Sequence, residues 1–207
     1  MPDLSPNTLS TFPVQYPRWM VATGTPPETT KASPRDPSRM CSTLIRFGDD
    51  AAGARGSDRH GAIDIFGAFQ LEIVAAREGT VVKRWISNSR DSMTGGRVRA
   101  EVSGVGTGGT DGGNYVMIRD DAGFYHYYAH MGAAPLVRPG ERVRSGHLLG
   151  YLGDTGKART TCQHLHYQVT IREGAFQCVN PYRELWRVAQ LLGAGRNPGR
   201  WVVIPIR

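Results

Sequence analysis

At 207 residues the chain is long enough for one domain with a real core plus extensions. Its 26 glycines, 13 prolines and short apolar runs argue for many short strands and turns rather than a helical bundle. A formal net charge of +7 favours anionic partners such as nucleic acid, anionic lipid or bacterial wall polymers; however, no run of like charge forms a nucleic-acid tail, no nucleic-acid module is recognisable, and no apolar stretch approaches the ~18 residues that span a bilayer.

Residues 1 to about 40 are rich in Pro, Ser and Thr. Proline removes amide donors and restricts its neighbours, so this arm is expected to be mostly irregular. Apolar spots at Phe12, Val14, Tyr16 and Trp19-Met20 could pack onto the domain, and the arm could cover the functional site or be a passive extension. The N-terminus lacks the basic-then-apolar pattern of a secretory signal. The expected layout is an arm over 1–40, a β domain over 41–193 and a tail over 194–207.

Ser42 to Phe47 reads as a first strand. His60 and Asp64 follow, four apart and of equal parity on an extended chain, with Gly61 allowing close backbone approach. Histidine and aspartate are a plausible pair of metal ligands, though the spacing alone is weak. Leu71–Ala75 and Gly79–Trp85 read as strands. Residues 86–113 form a long glycine-rich loop, expected either to wall a cleft or to be a disordered insertion, with a short strand at Val98–Val102.

Asn114–Arg119 and Phe124–His130 form a hairpin about the Asp120–Gly123 turn. Alternation puts His126, Tyr128 and His130 on one face. His126 is expected to be a structural or rim residue rather than a ligand, and His130, at the strand end, to reach into a cleft. His147 lies in a turn and is expected to be solvated. After the strand Leu148–Leu152 comes Cys162-Gln163-His164-Leu165-His166-Tyr167. On a strand, His164 and His166 project side by side, which suits a metal ligand beside a second functional group; a solvated polar stripe is the bland alternative. Cys162 and Cys178 flank this strand and could form a disulfide, with Cys41 left over. Asn180-Pro181 opens the one convincing helix, which has an apolar stripe at Leu185, Val188, Ala189 and Leu192 and ends at Gly193. A last strand is expected through Trp201–Ile204.

Taken in order, these segments resemble the lysostaphin/LytM-type zinc metallopeptidases, from about Phe47 to about Leu185. The residues carrying the resemblance are Phe47-Gly48, His60-Gly61-Ala62-Ile63-Asp64-Ile65, Gly113-Asn114-Tyr115-Val116-Met117-Ile118, Tyr128-Ala129-His130-Met131, Val137 to Gly140, Val143 to Gly146, Gly150 to Gly156, His164-Leu165-His166-Tyr167 and Asn180-Pro181. The resemblance implies a mainly β fold of antiparallel sheets forming a cleft, with one C-terminal helix. It implies one zinc ion held by His60, Asp64 and His166, with His130 and His164 acting beside it. The implied activity is hydrolysis of peptide bonds in peptidoglycan stems or cross-bridges by metal-activated water. The implied location is periplasmic or extracellular. Within that scheme His164 is the expected base and His130 the expected oxyanion stabiliser, with activity falling below about pH 6 as histidines protonate. Tyr167 and Gln168 depart from the family's phenylalanine and glutamate at these positions. The alternative, from a different class, is a catalytically silent binding or regulatory module on the same fold. Oligomeric state is not legible.

Overall fold

A computed structural model of the chain describes residues 3–5, 8–23, 32–33, 41–48, 54–55, 58–87, 101–104, 111–173, 177–196 and 201–206, with backbone only at 54–55, 58–59, 101–104 and 196. The fold is mainly β. An eleven-stranded antiparallel sheet runs, in order, through Arg142–Val143, Gly79–Ile86, Asn114–Asp120, Tyr125–Met131, His164–Thr170, Ile63–Phe66, Ile45–Phe47, Val202–Ile204 and Gly195–Arg196. Glu101–Gly104 adds to Gly79–Ile86, and Cys178–Val179 adds to His164–Thr170. Of the strand expected at Val98–Val102, Glu101 and Val102 lie in Glu101–Gly104, and residues 98–100 lie outside the described ones. A second sheet pairs Val14–Gln15, Glu72–Val74 and Leu148–Tyr151.

The central strands alternate as a one-sided sheet should. Leu165, Tyr167 and Val169 of His164–Thr170 point into the core, as do Ile63 and Ile65 of the neighbouring strand. His164, His166 and Asp64 occupy the other face. The register pairs His166 with Asp64 and His164 with Phe66.

The N-terminal arm is more ordered than its composition implies. Leu4, Leu9, Phe12, Val14 and Met20 are buried, and Arg18–Thr23 is a short helix. Each fully buried apolar side chain contributes about 1.5–3 kcal/mol, enough to offset the stiffness of a proline-rich segment. The arm is also stitched to the Tyr182–Leu191 helix. The Leu9 N–H donates to buried Glu184 at 3.1 Å, and Arg187 donates to the Leu9 carbonyl. Trp19, expected to pack, is 57% exposed.

The helix matches its signals. The Asn180 side chain accepts from the Tyr182 N–H at 2.9 Å, Leu185, Val188 and Ala189 are buried, and Gly193 takes φ +77° where the chain turns away. Leu192 lies past the last turn and is exposed.

The disulfide joins Cys41 to Cys162, with Cα atoms 5.4 Å apart, and Cys178 is a free thiol. The pairing that the sequence left open between Cys162 and Cys178 is thus not formed. Cys178 pairs in register with Thr170, at the far end of the strand that begins just after Cys162. Eight extended residues at about 3.3 Å each separate Cys162 from Thr170, far beyond disulfide reach.

Candidate metal centre and active-site cleft

His60, Asp64 and His166 converge. His60 Nε2 lies 3.2 Å from Asp64 Oδ1 and 3.2 Å from His166 Nδ1, and His166 Nδ1 lies 3.4 Å from Asp64 Oδ1. Donor atoms about 2.0–2.1 Å from a tetrahedral zinc are separated by about 3.3 Å, so this triangle has the dimensions of one face of a zinc coordination sphere. Asp64 Oδ1 is buried and accepts no aligned hydrogen bond, a costly state for a carboxylate oxygen unless a cation takes its place there. Burial pushes the Asp64 carboxyl up, but the His166 and His60 rings beside it more than offset this and hold it well below the usual carboxylate range. It is therefore ionised, as a ligand must be.

The parity argument for His60 and Asp64 is corrected in its geometry. A straight strand would separate their Cα atoms by about 13 Å, too far for one ion. The strand begins only at Ile63, and a bend at Ala62 turns His60 back over Asp64. Gly61 permits that bend to lie against the neighbouring strand: a Cβ there would stand 2.5 Å from Cys178 Sγ.

His166 keeps its Nδ1 lone pair for the centre because its other nitrogen is engaged. His166 Nε2 lies 3.4 Å from Gln168 Oε1, and the Gln168 amide donates to Cys178 Sγ at 2.9 Å. An amide that donates to sulfur presents its oxygen to the imidazole, which fixes Nε2–H and leaves Nδ1 free. Gln168 was legible, since it shares parity with His166, but it figured only as a departure from the family pattern.

His130 and His164 complete the cleft. The His164 ring Nδ1 lies 2.7 Å from the Cys162 carbonyl, and His130 Nδ1 lies 2.8 Å from the Thr155 carbonyl. Both rings therefore donate from Nδ1 and present Nε2 as a lone pair. His164 Nε2 is 3.7 Å from Asp64 Oδ1, and the His130 and His164 rings sit 4.9 Å apart in an edge arrangement. Burial lowers the His130 pKa to about 3, helped by His164 and His166, and burial lowers that of His164 against the opposing pull of Asp64. The two imidazoles therefore stay neutral below the pH of about 6 at which they were expected to protonate.

His130 reaches the cleft by breaking alternation. His126 and Tyr128, on its expected face, are wholly buried, with His126 bonded to the Tyr167 hydroxyl at 2.8 Å and to Asp120 at 3.1 Å. His130 instead adopts φ 65°, and the register with Asn114–Asp120 shifts between Tyr128 and Met131. This left-handed backbone, costing roughly 1–2 kcal/mol, turns the imidazole to the face of Tyr127 and Ala129. A knot of hydrogen bonds holds it there. The His130 N–H donates to the Gly112 carbonyl at 2.8 Å, the Thr155 hydroxyl donates to the Met131 carbonyl at 2.8 Å, and that hydroxyl accepts the Asn114 N–H at 2.8 Å. Gly113 makes the approach possible: at φ +62°, a Cβ would lie 2.4 Å from the Thr155 backbone carbon. Gly112 was legible only as part of a glycine-rich loop and Thr155 only as part of the Gly150 to Gly156 segment, and nothing in the sequence tied either to His130.

The resulting cleft encloses about 410 Å³. Tyr127, Ala129 and Gly112 form one wall and Lys157, Ala158 and Thr161 the other, with a Lys157–Asp111 ion pair of 2.6 Å across the rim. His147 lies away from it, 3.7 Å from Glu141. Among the described residues none of the arm lines the cleft, and most of the expected loop wall at 86–113 lies outside them.

Among known proteins, the chain is 44% identical over 59 residues to the peptidoglycan DD-endopeptidase ShyC of Vibrio cholerae, covering 28% of this chain and 13% of that protein. It is 42% identical over 87 residues to the DD-carboxypeptidase/endopeptidase Mpg of Neisseria meningitidis, covering 41% of this chain and 19% of that protein. The matched segments thus span less than a fifth of these relatives' own length. In fold, the chain superposes on lytM from Ruminococcus gnavus with a TM-score of 0.56 at 23% identity, covering 89% of this chain and 62% of that one. It superposes on the antimicrobial peptidase lysostaphin from Staphylococcus simulans with a TM-score of 0.51 at 20% identity, covering 75% and 52%. The family description of Peptidase family M23 matches residues 58–181, more than half of the chain and a span that holds all five cleft residues singled out above, so this chain belongs to Peptidase family M23.

Proposed function

We propose that this chain is a zinc metalloendopeptidase that hydrolyses peptide bonds in the stems or cross-bridges of peptidoglycan. The observation that carries this reading is the convergence of His60 Nε2, Asp64 Oδ1 and His166 Nδ1 within 4.8 Å of one another, beneath two further imidazoles. These three atoms would hold one zinc ion and leave a position open, as catalytic zinc requires. Zinc, when bound, supplies an activated water and polarises the scissile carbonyl.

His164 is the better base. Its Nε2 lone pair faces the cleft, and the imidazolium formed when it takes a proton there is stabilised by Asp64 at 3.7 Å and by the Cys162 carbonyl at Nδ1. For His130, burial and the His164 and His166 rings oppose a proton and lower the pKa to about 3, the Thr155 carbonyl at Nδ1 favours one, and Asp64 is the weakest influence, whereas at His164 Asp64 is second only to burial. His130 orients substrate at Nε2, and it donates to a developing oxyanion only after a proton reaches that nitrogen. The names of the Vibrio and Neisseria relatives support the substrate class. The net charge of +7 suits an anionic wall, and a Cys41–Cys162 disulfide fits an oxidising compartment.

The test is zinc content measured alongside digestion of purified peptidoglycan, read by mass spectrometry, for wild type and His60→Ala. The expected result is about one zinc per chain and digestion in wild type, and neither in the variant. One bound zinc with no digestion of any wall preparation would instead favour the silent binding module.

A further inference from the structure

Arg46 is the middle residue of the Ile45–Phe47 strand, whose outer two residues are buried in the core. Alternation therefore projects Arg46 from the opposite face. Its register partner is Phe66, and the register partner of Phe66 on the next strand is His164. Arg46, Phe66 and His164 thus form a row across three adjacent strands, on the face that carries the cleft. The row is closely packed. The Arg46 Cζ lies 5.8 Å from the Phe66 ring and 5.0 Å from the Trp201 ring, and the Phe66 ring lies 5.2 Å from that of His164. Trp201 meets Phe66 edge-on, so the guanidinium rests on a two-ring aromatic platform.

What the guanidinium lacks is an anion. Its Nε is buried without a hydrogen-bond partner, and among the described residues no carboxylate pairs with it. Burial alone lowers its pKa, the signature of a cation with no counter-charge beside it. Aromatic contact offsets only part of the cost of desolvating a guanidinium, whose planar fork is shaped for two carboxylate oxygens. The strands are about 4.8 Å apart, so Arg46 stands about 10 Å from His164 along the row. An extended peptide covers that span in about three residues.

We propose that Arg46 is a specificity-determining residue that binds a free carboxylate of the substrate peptide about three residues from the bond that is cut. This rests on the peptidase reading above. It names the chemistry the site selects: an acidic stem residue with its carboxylate uncapped.

The experiment uses two muropeptide dimers that differ only in whether the stem carries D-glutamate, with its free α-carboxylate, or D-isoglutamine, with a carboxamide. Binding to chelator-treated protein is measured by calorimetry, and turnover by the zinc-loaded protein is measured separately. Wild type is expected to bind the carboxylate form about ten- to a hundredfold more tightly, as one charge-assisted pair allows. Arg46→Gln is expected to bind both forms as weakly as wild type binds the carboxamide, and Arg46→Lys, which keeps the charge but loses the fork, to fall between. In turnover the loss should lie in KM rather than kcat. Equal binding of the two forms by wild type, or equal weakening of both in Arg46→Gln and Arg46→Lys, overturns the assignment. A retained binding preference with no turnover overturns the peptidase reading alone.

Discussion

Replacing Gln168 with Leu is the most direct probe of how the proposed metal centre is poised. Leucine keeps the size and removes the acceptor that Gln168 offers His166 Nε2, a contact of 3.4 Å to a neutral amide oxygen. Loss of such a partner behind a ligating histidine typically costs 10- to 100-fold in metal affinity. The contact is long and uncharged, which puts this case at the lower end, about tenfold or ~1.4 kcal/mol. The cost arises because the imidazole is then free to carry its proton on Nδ1, the nitrogen the ion needs. Gln168→Glu should act in the opposite direction. A carboxylate accepts from Nε2–H more strongly, and the Cys178 thiol, now an acceptor from the amide, can turn its S–H toward the new oxygen. Zinc affinity is read by competition with a chelating dye, independently of any peptidase activity. A Leu variant that holds zinc as tightly as wild type, or a Glu variant that holds it more weakly, would refute the tautomer argument.

Three further outcomes follow from the same contacts. Below pH 6.5 the unfolded chain protonates His130 while the buried ring resists down to about pH 3. Stability of the metal-free protein should therefore fall as pH drops through that window, by up to roughly 1.4 kcal/mol per unit from this group. Asp64, held below its usual range, adds a loss of its own only as pH falls below the ordinary carboxylate value near 4. Denaturant midpoints between pH 6.5 and 4.5 should flatten in His130→Asn, a residue that tolerates the left-handed backbone; an unchanged slope contradicts the burial argument. Cys41→Ser should lower stability by about 4–5 kcal/mol on a chain-entropy basis, since the bridge spans 121 residues; thermal melts read the loss, and the denatured, unreduced wild type should titrate one thiol, Cys178. His126→Ala should cost about 3 kcal/mol through the lost Tyr167 hydroxyl contact and the Asp120 oxygen it leaves unpaired, while leaving zinc affinity unchanged; loss of zinc would tie His126 to the centre.

The strands and the helix were legible because each announces itself locally. Period-two alternation in His164–Thr170 put His164 and His166 on one face without any knowledge of their neighbours, and Asn180-Pro181 through Gly193 carried the helix's start and stop. The cysteine pairing was not legible, because nearness along the chain, which suggests Cys162 with Cys178, is not nearness in space. The rigid strand between Cys162 and Cys178 keeps them apart, while Cys41 arrives from 121 residues away.

The site was legible as a set of residues but not as a shape, and the reason is the same at each position where the shape was missed. Alternation describes an ideal strand, and two of the five side chains reach the cleft by leaving it. His60 needs the bend at Ala62 to close on Asp64, and His130 needs φ 65° to escape the core face occupied by His126 and Tyr128. Such backbone is unfavourable on local grounds, so it persists only where distant parts hold it. For His130 those parts are Gly112, Gly113 and Thr155, which no spacing rule connects to it. A strained conformation fixed by four hydrogen bonds that involve Gly112 and Thr155 is difficult to account for as packing, because an unstrained strand would bury the same ring beside His126 at less cost. It is accounted for if the ring is required over the open side of His60, Asp64 and His166. The local exceptions to strand geometry therefore point, independently of any family resemblance, to the same few cubic ångströms of the cleft.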